Sequence, residues 1–70
     1  MMNGWIKKVV MEKGFGFIRD DQNQEYFFHR SALDHGQFED LIVGQMVEFE
    51  VEESSKGPRA GTVRTVAGRR

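Results

Sequence analysis

Lys13-Gly14-Phe15-Gly16-Phe17-Ile18-Arg19 is the stretch that decides how this chain folds. On an extended strand successive side chains alternate between faces, so Phe15, Phe17 and Arg19 share one face and Gly14, Gly16 and Ile18 the other. Both glycines are poor strand residues unless something packs closely over their bare backbone. Glu25-Tyr26-Phe27-Phe28-His29 reads as the next strand, with Phe27 and His29 on one face and Tyr26 and Phe28 on the other. Between them, Asp20-Asp21-Gln22-Asn23 has turn composition and is read as a hairpin loop, not as a carboxylate pair for a metal or for acid-base chemistry. Pairing the two strands gathers Phe15, Phe17, Phe27 and His29 on one face and leaves Ile18, Tyr26 and Phe28 as core.

The same period of two continues on either side. Val47, Phe49 and Val51 alternate with Glu48, Glu50 and Glu52, a half-buried strand with an acidic outer face. Thr62-Val63-Arg64-Thr65-Val66 alternates with β-branched residues that suit a pleat, and Ile6 to Val10 is a further strand. Ser54-Ser55-Lys56-Gly57-Pro58 marks a turn. Residues 30–44 lack a strong period: one helical turn is expected at Ser31-Ala32-Leu33, then a loop through Gly36. The chain should return to the core at Leu41-Ile42-Val43, with Gly44-Gln45 opening the next strand. Five short strands predict an all-β fold, a small closed barrel, because closure removes exposed edges.

Seventy residues allow one domain, 1–70, with its core at about 4–66. No apolar run approaches the roughly 18 residues of a membrane span, and no opening segment reads as a signal peptide. The chain has no cysteine, which removes disulfides, thiolate metal sites and a thiol nucleophile and suits a cytoplasmic protein. His29 and His35 are the only histidines and lack ligand spacing, so no metal or other cofactor is expected. Neither a phosphate-cradling Gly-Lys-Ser/Thr loop nor a nucleophile with its base and orienting group is present, and no enzymatic activity is expected.

The charges nearly cancel, ten Lys plus Arg against eleven Asp plus Glu, but they are segregated. Residues 1–30 carry five basic and four acidic side chains, 31–56 carry Lys56 against seven acids, and from 57 onward there are four arginines and no acid. A sheet can convert that segregation into one basic and one acidic face. The terminal Arg69-Arg70 is read as a charged tail.

Two readings of the Phe15/Phe17 face compete. Phenylalanine ordinarily belongs in a core, with the glycine face outside. Yet Arg19 shares the phenylalanine face and Lys13 flanks it, and a face of rings edged by cations is what unpaired bases require. On these residues alone the two readings weigh equally.

The ordered set of motifs resembles the bacterial cold shock domain family from Gly4 to about Val66. Lys13-Gly14-Phe15-Gly16-Phe17-Ile18 is similar to that family's first ribonucleoprotein motif and Tyr26-Phe27-Phe28-His29 to its second. Ser31-Ala32-Leu33, Gly44-Gln45 and Lys56-Gly57-Pro58-Arg59-Ala60 fit in order and spacing. The resemblance implies a five-stranded antiparallel oligonucleotide-binding barrel that holds single-stranded RNA or DNA and acts as an RNA chaperone. It also implies roles: Phe15, Phe17, Phe27 and His29 stack with bases, Phe38 adds an outer platform, and Lys7, Lys13, Lys56 and Arg59 contact or steer the backbone. A monomer without membrane or small-molecule partner is expected.

Departures from the family pattern are equally specific. Lys8-Val9 replaces a usual Trp-Phe pair, Arg30 replaces a usual aromatic, Glu39 replaces a common loop lysine, and Trp5 stands where a charged residue is common. Losing two stacking platforms would cost about 2–6 kcal/mol, partly recovered if Lys8 and Arg30 hold phosphates. The expectation is a weaker, more electrostatic binder than typical relatives. The alternative is a protein-interaction module on the same barrel, motivated by the lost rings and the acidic strand Glu48–Glu52; a hydrolase using Glu12, Asp20 or His29 is a remoter one.

Overall fold

The computed structural model describes residues 2–35 and 37–66, so Gly36 and the Arg69-Arg70 tail lie outside the described residues, as does the side chain of His35. Six strands form among them: β1 Met2–Val10, β2 Phe15–Arg19, β3 Glu25–His29, β4 Leu33–His35, β5 Met46–Ser54 and β6 Gly57–Thr65. They lie in the order β3-β2-β1-β5-β6-β4, and a further β3–β6 pairing closes the five longer strands into a barrel. The long pairings are antiparallel, but the closing contact, Phe27 opposite Arg59, is parallel. The short β4, also parallel to β6, is an addition to the expected five. Three residues are too few to display a period.

Burial follows the alternation. Ile6, Ile18, Phe28, Val47, Phe49 and Val63 are fully enclosed, with Tyr26, Leu41 and Ala60 beside them. Each of the fully enclosed Val, Ile and Phe side chains contributes about 1.5–3 kcal/mol by leaving water. Gly16 faces inward as well: a Cβ there would meet the Lys8 carbonyl oxygen at 2.6 Å and the Phe28 ring at 2.8 Å. The bare backbone is thus covered by the protein's own core.

Two irregularities decide which side chains face out. A register shift in β1 lies between Ile6, opposite Ile18, and Lys8, opposite Phe17. Lys7 is the extra residue, so inward Ile6 is followed by outward Lys8. A second shift, between Glu50 and Val51, breaks the alternation of β5 and leaves Val51 exposed instead of in the core. Ile42 and Val43 also depart from expectation, at 69% and 63% exposed: only Leu41 enters the core before the chain turns at Gly44, whose φ is 95°.

The loop after β2 is organised by Asp20, a carboxylate only 4% exposed. It accepts the backbone N–H groups of Gln22 at 2.9 Å and Gln24 at 3.0 Å, and the Tyr26 hydroxyl at 2.9 Å. Burial pushes this carboxyl up, but the hydrogen bonds from Gln24, Gln22 and Tyr26 outweigh it and hold the group below the ordinary carboxylate range. Burial, and then Asp20 itself, raise the Tyr26 phenol. Asp20 is a structural tie.

Candidate nucleic-acid interface

The β2–β3 hairpin pairs Phe15 with His29, Phe17 with Phe27 and Arg19 with Glu25. Since Gly16, Ile18, Tyr26 and Phe28 point inward, the alternate residues stand on the outer surface. Phe15 and Phe27 have ring centroids 5.4 Å apart and tilted by 35°; Phe17 meets Phe15 edge-on at 5.9 Å and Phe27 at 6.0 Å. These offset and edge-to-face arrangements support one another while leaving ring surface to solvent, with Phe27 36% exposed. His29 extends the row, and its Nδ1 accepts the Ser31 N–H at 3.1 Å. In the neutral ring that bond leaves the proton on Nε2.

Cations surround the rings in two groups. Lys8, opposite Phe17, together with Lys13 and Lys56, has no carboxylate partner among the described residues. Lys7 and Arg19, in contrast, both donate to Glu25, Arg19 at 2.8 Å. The Lys7 ammonium first, and then the Arg19 guanidinium, hold the Glu25 carboxyl below the ordinary range. Glu25 escapes the sequence reading, although residues flanking a hairpin loop stand opposite one another and Arg19 faces it directly. Arg59 lies 3.8 Å from Glu52 and lines, with Phe27, Lys56 and Pro58, a cleft of about 460 Å³ at the edge of the ring face.

Phe38 is corrected by the structure. It does not stand out as an outer platform: at 4% exposure it packs against Phe28, centroids 6.2 Å apart, inside a short 3₁₀ turn, Phe38–Asp40. Arg30 covers it and pairs with Glu39 at 2.9 Å. Arg30 is therefore engaged by the protein itself, unlike Lys8.

Among the described residues no group of His, Asp and Glu is arranged to hold a metal ion, and no helix is long and apolar enough to cross a membrane. A small closed barrel with an outer face of rings and cations defines an oligonucleotide-binding barrel. Residues 2–66 match the profile of the 'Cold-shock' DNA-binding domain, and the chain belongs to that family. It is 43% identical over 65 residues to a cold shock-like protein of Thermotoga maritima, a match covering 93% of this chain and 98% of the relative. It is 42% identical over 67 residues to the major cold shock protein of Streptococcus pyogenes, covering 96% and 100%. Cold shock protein CspA of Staphylococcus aureus is 43% identical over 63 residues, covering 90% and 96%.

Proposed function

We propose that the chain is a monomeric cytoplasmic binder of single-stranded RNA or DNA that acts as a nucleic-acid chaperone. Phe15, Phe17, Phe27 and His29 take the bases, and Lys8, Lys13 and Lys56 take the phosphates. The observation carrying this reading is the cluster of three mutually packed phenylalanines on the outer face of a barrel whose inner face already has its own core. A ligand of the unpaired state alone shifts hairpins toward the open form by mass action, without hydrolysis. The acidic outer residues Glu48, Glu50 and Glu52 pair across to β6, where Arg59 lies 3.8 Å from Glu52 while Arg64, opposite Glu48, pairs instead with Asp34.

Lys8 in place of a ring makes this interface more electrostatic than one with a full set of stacking residues, whereas Arg30, held by Glu39, adds little charge to it. Titration of a labelled oligopyrimidine at low salt tests the reading. Saturable binding that weakens steeply with salt is expected. A folded domain that binds nothing at high micromolar concentration would return the barrel to a protein-interaction role.

A further inference from the structure

Trp5 lies on the same outer sheet surface as the rings, and neither the fold nor the interface described above uses it. Its neighbours along β1, Gly4 and Ile6, are both buried, so Trp5 points outward and is only partly covered. It pairs with Arg19 on β2 and with Met46 on β5. Because Lys7 is the extra residue in β1, Trp5 and Lys8 fall on one face in spite of their odd separation. Arg19 in turn is two residues from Phe17 on the same face of β2. Trp5 therefore sits one two-residue step beyond the Phe17 row, about 6.8 Å along the strand.

We propose that Trp5 is an additional base-stacking site, taking the nucleotide next to those on Phe17 and Phe27. This rests on the platform reading above. The step along the strand is about twice the 3.4 Å rise of stacked bases, the spread a splayed single strand needs to place successive bases on separate rings. Two cations, Lys7 and Arg19, stand against the one carboxylate of Glu25 beside Trp5, Arg19 and Glu25 in its own row across the sheet, an excess positive charge where the linking phosphate would reach the ring. The indole N–H makes no hydrogen bond to a described residue, so it is free to donate to a nucleotide beside the ring. The position is rigid: a Cβ on Gly4 would come within 2.6 Å of the Arg19 carbonyl oxygen, so β1 is pressed against β2 immediately beside the ring. The tryptophan in effect restores, one step further along, the stacking surface that Lys8 lacks.

Exposed Met46 and Val66 continue the row past Trp5 and would equally suit a second copy of the chain, so the test separates the two. Labelled oligothymidines of about four and about eight nucleotides are titrated against wild type, Trp5→Ala, Trp5→Phe and Phe27→Ala, each checked for folding by circular dichroism. Phe27→Ala is expected to weaken both lengths. Trp5→Ala is expected to weaken only the longer one, by about 5- to 150-fold, with Trp5→Phe retaining most of the affinity. Saturation with the longer oligomer should also quench the single tryptophan's emission. Equal affinity of Trp5→Ala and wild type for the longer oligomer overturns the assignment, and a simultaneous change in sedimentation would give the row to self-association. If wild type binds neither length, the platform reading falls and this one with it.

Discussion

The Arg30 guanidinium carbon lies 5.6 Å from the centre of the Phe38 ring, closing over a side chain that the barrel has already taken into its core. The same guanidinium pairs with Glu39, next in sequence to that ring. Three residues thus fasten the 3₁₀ turn to the end of β3. The cation–π contact is worth about 0.5–1 kcal/mol at an exposed site, and the exposed ion pair no more than about 1. Most of the fastening is the burial of Phe38.

Phe38→Ala should accordingly act on stability first. Removing a buried phenylalanine costs about 3–5 kcal/mol, a large share of what so small a domain has. Urea denaturation would show a large fall in midpoint, with Phe38→Leu intermediate. A Phe38→Ala variant as stable as wild type but impaired in oligonucleotide binding would restore the ring to the interface.

Phe15→Ala and Phe27→Ala should do the reverse. Both rings lie outside the core and lose mainly their contacts with one another and with Phe17, each worth about 0.5–1.5 kcal/mol. Each stacked base lost should weaken oligonucleotide binding by about 1–3 kcal/mol. Equilibrium titration and thermal melting on the same samples compare the two effects. Wild-type affinity in both variants would mean that the bases bind elsewhere.

The cations around the rings should differ in what they contribute. Lys8 is unpaired among the described residues, whereas Arg30 is held by Glu39. Lys8→Ala should therefore flatten the dependence of log Kd on log salt by up to about 0.7, the share of one phosphate contact on a single strand. Arg30→Ala should change the slope less, and Glu39→Gln, by releasing Arg30, should steepen it. Equal slopes in all three variants would show that none of these side chains meets a phosphate.

Much of this architecture is legible from alternation. Once the hairpin pairs, a period of two puts Phe15, Phe17 and Phe27 on one face and Ile18, Tyr26 and Phe28 on the other, and the structure buries the second set. What alternation cannot reveal is where it is interrupted. The shift after Ile6 moves Lys8 onto the ring face, and that after Glu50 puts Val51 in solvent. Phe38 and Ile42-Val43 lie in an aperiodic segment where burial is set by which side chain meets Phe28, a long-range fact with no local signature. Asp20 is legible as a turn residue, but its burial depends on Tyr26 reaching back six positions.

Gly16→Ala would test how tightly the ring face is fixed to the barrel. The added methyl would press on the Lys8 carbonyl, which cannot withdraw without parting β1 from β2, and on the Phe28 ring of β3, which is fully enclosed in the core. A destabilisation of about 1–3 kcal/mol is expected from such overpacking. Because Lys8 and Phe17 are paired at the same place, oligonucleotide affinity should fall as well. A fully stable Gly16→Ala protein would mean that the two strands yield more readily than their close approach implies.

Acid should unfold the domain through two carboxylates whose proton affinities are lowered for different reasons. Asp20 is held down, against its own burial, by the Gln24 and Gln22 backbone N–H groups and the Tyr26 hydroxyl, all uncharged donors. Glu25 is held down by the cations Lys7 and Arg19. Both pKa values are depressed in the folded state, so the unfolded chain binds more protons as pH falls below the ordinary carboxylate range near 4. The stability these groups supply is complete above that range and is lost progressively as pH drops through their folded values. Salt separates them: screening weakens the attraction of Lys7 and Arg19 for the exposed Glu25 but leaves the hydrogen bonds to buried Asp20 nearly untouched. Thermal melts between about pH 2 and 6, at low and high salt, should show an acid limb of which only part is salt-sensitive. Glu25→Gln should remove the salt-sensitive part and Asp20→Asn the remainder. If Asp20→Asn leaves the acid limb unchanged, the buried carboxylate does not tie the loop in the way its three hydrogen bonds indicate.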